Sequence, residues 1–445
     1  MLTAKHKVGL IFFPAFDWCI TPDHPEREER LLYTRDQILE EGLLDVEGIE
    51  EYRPFVAEDK DILRAHVCVP SVAARVTESH RIAVGGTMLA ADLVLDKKVD
   101  RAFALLRPPG HHAMRIVHGS RGFCTVNNEA IMVEHIRHRL SPKTRIAIVD
   151  TDAHHADGTQ DIFYNDPGIL HISIHQDGRT LYPGTGDVQE RGGPAAYGQT
   201  VNIPLPPGTG DEGLLYVMEK AVMPILADWE PDIIINAAGQ DNHFTDPLTH
   251  MNVSARGYAR LTDMLGPDIV VLEGGYSIEG GLPYVNVGIL LALAGLDYSH
   301  VKEPVPQPTQ PPQVMGQIER ITETVMRAWA TRDQVDRSRL FGEGEYFQRH
   351  RAIYYDTDNL LEEQRELIRL CPDCSGWRLI YSKASGYYSS LTSRGQIAAV
   401  VIPWLACPKC RAEAENKYEL IAKEGRCRQV FLQDVARDAF TNWRK

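Results

Sequence analysis

The stretch VDTDAHHADG, Val149–Gly158, packs three carboxylates and two adjacent histidines into ten residues, directly after the apolar lead-in Arg145–Ile148. Burying ionised groups is costly unless they are paired or bound to a metal. In an extended segment alternate side chains share a direction, so Asp150, Asp152 and His154 point the same way. Carboxylate oxygen and imidazole nitrogen both suit divalent zinc, iron or manganese. A third ligand has to come from elsewhere, and Asp246 in NHFTDPLTH, beyond another strand end, is the best candidate. Three protein ligands would leave coordination positions for water and substrate, the arrangement of a catalytic metal. The plainer alternative makes Asp152 a helix cap and His154 a hydrogen-bonded core histidine.

A second cluster argues against the plain alternative. In RPPGHHA, Pro108 and Pro109 fix the backbone and Gly110 allows a tight turn before His111 and His112. Two imidazoles at a cavity suit proton transfer, and each needs an orienting acceptor. Asp150 and Asp157 are the spare carboxylates nearby. Tyr276, in EGGYSIEG, can donate from its phenol to an oxyanion, although alone it would read as a packing tyrosine.

The elements that must position these residues are short apolar runs: Val8–Phe13, Phe103–Leu106, Arg145–Val149, Ile169–Ile174, Asp232–Asn236 and Ile269–Leu272. Helical stretches such as Gly85–Asp96 and Asp211–Trp229 lie between them. Alternation of this kind predicts an α/β fold, a mostly parallel sheet covered by helices on both faces. Four of the runs lead straight into the polar text above, and ligands of such sheets bind at the carboxyl ends of strands. A single site at one sheet edge is expected.

After about Leu296 the text changes. Glu303–Gln313 is proline-rich and irregular, and Ile318, Ile321, Val325, Met326 and Trp329 form a helical stripe that should dock on the main domain. Residues 1–344 are read as the catalytic domain, with the 303–313 loop inside it, and 345–445 as a second, smaller domain. Thr357–Leu370 reads as a charged helix. Two CxxC pairs follow, Cys371/Cys374 and Cys407/Cys410, enclosing an expected β-excursion through GYYSSLTSRGQIAAVVIP. Such pairs bind zinc as a tetrahedral thiolate site, here predicted to close a small zinc ribbon. Its purpose is open: docking, shaping the substrate entrance or holding a partner.

The formal charge of −14 argues against nucleic acid and anionic membrane, and suits basic partners such as lysine-bearing substrates. No stretch approaches the roughly 20 apolar residues of a membrane span. The opening MLTAKHKVGLIFFPAF reads as a first strand, not a signal peptide. Eight cysteines, four of them in CxxC pairs, fit a reducing cytoplasm.

Taken together the motifs resemble the zinc-dependent histone deacetylase family, which includes acetylpolyamine amidohydrolases. HPERE (His24–Glu28), RPPGHHA, GFCTVNNEA (Gly122–Ala130), VDTDAHHADG, YPGTGD (Tyr182–Asp187), TDPL and EGGY occur in the family's order across roughly residues 10–330. The resemblance implies a catalytic zinc on Asp152, His154 and Asp246, and histidines His111 and His112 partnered by Asp150 and Asp157 respectively. It implies Tyr276 as the transition-state tyrosine, and Phe123 and Tyr182 as channel walls gripping a lysine-like stem. A potassium ion near Asp150, Asp152, His154, Ser173 and Ile174 is implied as well. The expected activity is hydrolysis of an acylated amine, foremost N-ε-acetyl-lysine in proteins or peptides. The nearest rival is an acetylpolyamine or other small-amide hydrolase, with room for a homo-oligomer because a narrow acidic entrance is often made by dimerisation. A two-manganese ureohydrolase is disfavoured because its later loop needs a D-x-D where Gln240-Asp241-Asn242 stands. A silent acyl-lysine-binding scaffold is disfavoured because no ligand is missing. The rim stretch His66–His80 contains no aspartate to hold a peptide backbone.

Overall fold

The computed structural model describes residues 2–15, 18–386 and 395–445. In chain order the strands are β1 (Thr3–Phe13), β2 (Glu47–Tyr52), β3 (Val67–Cys68), β4 (Arg101–Leu106), β5 (Ile116–Val117), β6 (Ile146–Asp150), β7 (Ile169–Gln176), β8 (Thr200–Leu205), β9 (Ile233–Ala238) and β10 (Ile269–Leu272). Eight of them form one sheet in the order β2-β1-β4-β10-β9-β6-β7-β8, every neighbouring pair parallel. The six runs picked out by their apolar content are the six inner strands. The other two, β2 and β8, are the sheet's outer edges: β2 is largely exposed and rich in glutamate, and β8, though almost wholly buried, has its apolar run broken by Asn202 and Pro204.

Both faces are covered. Val8, Leu10, Phe103, Val149, Ile172 and Val270 look into one core, shared with the helices Ala255–Leu265 and Leu282–Leu293. Ile11, Ala104, Ile146, Ile148, Ile235 and Val271 look into the other, against the helices Glu78–Leu95 and Asn128–Arg139. The run Asp211–Trp229 is helical but not uniformly so. A π-turn, Met218–Val222, interrupts it just before Pro224, whose missing N–H cannot close the normal ladder. The stripe on Pro312–Ala330 docks as expected, burying Ile318, Val325 and Trp329 in the first core. Among the described residues no helix is long and apolar enough to cross a membrane.

A second sheet follows: β11 (Tyr346–Tyr355), β12 (Leu360–Arg369), β13 (Arg378–Gly386), β14 (Ile397–Ile402), β15 (Gln429–Asp434) and β16 (Ala439–Arg444), in sequential order. All its pairs are antiparallel except β14–β15, between which the helix Pro408–Glu424 crosses over. The expected charged helix at Thr357–Leu370 is therefore wrong: Leu360–Arg369 is strand β12. Its buried residues, Leu360, Glu362, Gln364, Glu366 and Ile368, alternate as a strand requires, but three of the five are polar, which hid the period of two. Of the expected β-excursion, residues 387–394 lie outside the described ones, and the rest falls on the end of β13 and on β14. This region has a core of its own, with Trp377, Leu379, Val400, Ile402 and Val430 buried beside Cys410.

Candidate active site

The odd polar residues do converge on one edge of the parallel sheet. β6 ends at Asp150; its neighbour β9 delivers Gly239–Asp246, and β10 and β4, next along the sheet, deliver Glu273–Tyr276 and Arg107–His112 to the same side. His111 Nδ1 lies 3.1 Å from Asp150 Oδ2, and His112 Nδ1 lies 2.9 Å from Asp157 Oδ1. The two imidazoles are neighbours, 4.1 Å between ring centres, and both are buried. Their charges diverge. Burial opposes protonation of both, yet Asp152, Asp150 and Glu273 raise His111 to about 10, whereas burial and the adjacent His111 lower His112 to about 3.

Beside them stand the candidate metal ligands. His154 Nδ1 approaches Asp152 Oδ1 at 3.1 Å and Asp241 Oδ2 at 2.9 Å, and these three residues offer ligand atoms all within 4.8 Å of one another. Asp241 was not among the residues singled out from sequence, although it sits just past the end of β9, where the strand-end rule would have pointed to it. Asp246 lies on the same loop. Its Oδ2 accepts from the Tyr276 N–H at 2.7 Å and its Oδ1 from the Leu248 N–H at 2.9 Å. Burial and the charge of Asp241 push the Asp246 carboxyl up to about 8, and burial and Asp152 push Asp241 to about 6. Three buried carboxylates crowded in this way, with Asp152 held ionised by His111 and His154 while Asp241 and Asp246 are pushed up, match a site built around a cation.

Further residues hold this constellation. Arg121 donates to Asp157 Oδ1 and to the His112 carbonyl, each at 2.8 Å, fixing the acceptor behind His112. Glu273 Oε2 accepts from the Gly110 and His111 N–H groups at 2.8 and 3.1 Å. The HPERE segment supplies Glu26, which pairs with Arg107 of RPPGHH and with Arg30. Arg30 in turn donates to the Gly275 and Glu273 carbonyls and lies over the Tyr276 ring at 5.0 Å. A fully buried Glu26–Arg30–Arg107 cluster thus ties three motifs far apart in sequence to one another.

Phe123 and Tyr182 frame the approach. Phe123 is edge-on to Tyr276 at 5.5 Å and Tyr182 is edge-on to His112 at 5.1 Å. Behind Tyr182 a cavity of about 860 Å³ opens between Arg121, Asp157 and Tyr164 on one side and Arg349, Arg351 and Tyr354 of β11 on the other. Ser173, on β7, is the register partner of Asp150 on β6, with Ile174 next to it.

At the far end of β12, Cys371, Cys374, Cys407 and Cys410 form a second cluster with all four sulfurs within 4.8 Å. Amides already point at the sulfurs: Gly376 N–H to Cys374 at 3.3 Å and Cys410 N–H to Cys407 at 3.5 Å. Cys407 caps the helix Pro408–Glu424, and the Cys410 amide holds its thiol below the ordinary range.

Residues 69–284 match the histone deacetylase domain family. A probable deacetylase of Archaeoglobus fulgidus is 45% identical over 311 residues, covering 64% of this chain and 85% of the relative. The acetoin utilization protein AcuC of Bacillus subtilis is 38% identical over 238 residues, 52% of this chain and 60% of AcuC. The crystal structure of the HDA15 HD domain superposes with a TM-score of 0.64 at 26% identity, over 74% of this chain and 98% of that one. With a relative 45% identical along 85% of its length and a match to the domain family itself, the chain belongs to the histone deacetylase family of deacetylase-like hydrolases.

Proposed function

We propose that the protein hydrolyses the amide bond of acylated amines, with N-ε-acetyl-lysine in proteins or peptides as the substrate. The observation that carries this reading is the pair of histidine–aspartate couples beside Tyr276, at the foot of an approach walled by Phe123 and Tyr182. Zinc, held by Asp152, His154 and Asp246 with Asp241 beside His154, would polarise the acyl carbonyl and acidify the attacking water. The chain's own groups do the rest. His112 is neutral, its Nδ1 engaged by Asp157, so Nε2 is open to accept a proton from that water. One of the two histidines then protonates the departing amine. Burial keeps the Tyr276 phenol protonated, so it can donate a hydrogen bond to the tetrahedral oxyanion.

The same reading gives the four cysteines a structural zinc, supported by the amides aimed at their sulfurs. It includes a potassium ion near Asp150, Asp152, His154, Ser173 and Ile174, as the family resemblance implies. We divide the chain between residues 344 and 345, just before β11 begins at Tyr346. We place the protein in a reducing cytoplasm, on the ground that four of its eight cysteines sit in CxxC pairs whose thiols gather as a metal-binding set.

The test is a panel of acetyl-lysine peptides and acetylated putrescine and spermidine, assayed with zinc-loaded protein. Turnover of the peptides supports the reading. Turnover of the polyamines alone would replace it by a small-amide hydrolase, and zinc-loaded protein inert toward every member would point to a binding scaffold.

A further inference from the structure

The turn joining β11 to β12 reaches into the walls of the approach. Asp356 Oδ1 accepts from the Gly122 N–H at 2.8 Å and from the Tyr182 hydroxyl at 3.3 Å. Two residues on, Asp358 Oδ2 accepts from the Ser120 N–H at 2.6 Å. The fit is close: a Cβ on Gly119 would fall 2.0 Å from that Asp358 oxygen.

The clasped segment is one that does not hold its shape for free. Gly122 and Phe123 both have positive φ, +49° and +68°, and the left-handed region costs a residue with a side chain about 1–2 kcal/mol. That conformation turns the Phe123 ring edge-on to Tyr276 and to His24, the latter at 4.3 Å between centres. One carboxylate oxygen therefore bridges the Phe123 segment and Tyr182, the two sides of the approach. The carboxylate comes from the second sheet, not from the parallel sheet that carries the histidines.

We propose that Asp356 is a positioning residue that sets the spacing between Phe123 and Tyr182, so that the C-terminal sheet governs how firmly a slender acylated amine is gripped. This rests on the function proposed above. Among the described residues Asp356 makes no hydrogen bond to His111, His112 or Tyr276, so its effect falls on binding of the stem and not on the bond broken.

The experiment compares wild type, Asp356→Ala and Asp356→Asn as full chains with their metal. Two quantities are read: hydrogen exchange at the Gly122 amide, and KM and kcat on an acetyl-lysine peptide. Losing a hydrogen bond to a charged group should accelerate Gly122 exchange about tenfold or more and raise KM about tenfold in Asp356→Ala, with kcat within about threefold. Asparagine keeps an acceptor oxygen, so Asp356→Asn should recover most of both. Tyr182→Phe removes one of the two bonds with little bulk, and should raise KM by less. Unchanged Gly122 exchange in Asp356→Ala, unchanged KM, or an asparagine variant as impaired as alanine would each overturn the proposal. Wild-type protein inert on every acylated amine would instead overturn the proposed function, while exchange at Gly122 would still decide whether Asp356 holds the wall.

Discussion

The two sheets solve opposite problems. In β4, β6 and β10 of the parallel sheet the strand interiors are apolar and the residues of the site come at the carboxyl ends, so core and chemistry are separated along each of these strands. In the C-terminal sheet the charge lies within the strand. Glu362 and Glu366 are fully buried in β12, the first held by Tyr355 and Ser382, the second by Arg349 and Arg378. Asp161, on the helix that begins at Asp157, joins this network through Arg349, Arg351 and Arg378. Polarity at a strand end makes a site, whereas polarity inside a strand makes a joint between two layers.

Breaking the joint should have the largest effect on stability. Asp161→Ala leaves three guanidinium groups crowded without their shared acceptor, and removing one partner of a buried ion network costs about 3–5 kcal/mol. Urea denaturation of the two proteins measures it, and a loss under about 1 kcal/mol would mean the network is screened as a surface one would be. Breaking the site should instead spare the fold. Tyr276→Phe removes one oxyanion donor, worth about 3 kcal/mol, so turnover should fall by about a hundredfold or more with the melting temperature unchanged. Near-full activity would remove Tyr276 from the mechanism.

A gentler probe is pH. His66, held between the Met114 carbonyl and the Asn127 N–H, is lowered to about 4 by burial, and burial lowers His80, His112 and His171 to about 3. Between these values and about 6.5 the unfolded chain binds protons that the folded one refuses, so stability falls as pH drops through that window. Each such histidine contributes a slope of up to about 1.4 kcal/mol per pH unit, readable from denaturation midpoints at pH 7, 6 and 5. The raised carboxyls of Asp241 and Asp246 oppose this slope in the same window, so the histidine share is read from a His80→Phe variant, whose unchanged slope would mean that His80 is solvated. The smallest effect belongs to the exposed Arg437–Glu415 pair, where Arg437→Ala should change stability by under about 0.5 kcal/mol.

The same contrast explains how much could be read in advance. The six inner strands and the convergence of RPPGHH, DTDAHH, TDP and EGGY were legible because each pattern is carried by neighbours in sequence. β12 reads as a helix because glutamates at its inward positions look like a solvated helix face until Arg349, Arg378 and Tyr355 are brought beside them. Asp241, which the sequence offers only as an argument against a two-manganese site, and Arg121 are hidden for a related reason. Their importance lies in what they touch, His154 for one and Asp157 for the other, and neither contact is visible in local text.

The final strands also bear on how the molecule is made. Arg115, three residues beyond His112, is buried against Gln433 of β15, and Arg64 forks onto Asp438 just before β16. A ribosome that has finished the parallel sheet at Leu272 has still to reach Arg378 before Asp161 meets the last of its arginines, and Gln433 before Arg115 meets its amide. Until then the nascent chain carries a raw, charged flank beside its unfinished pocket.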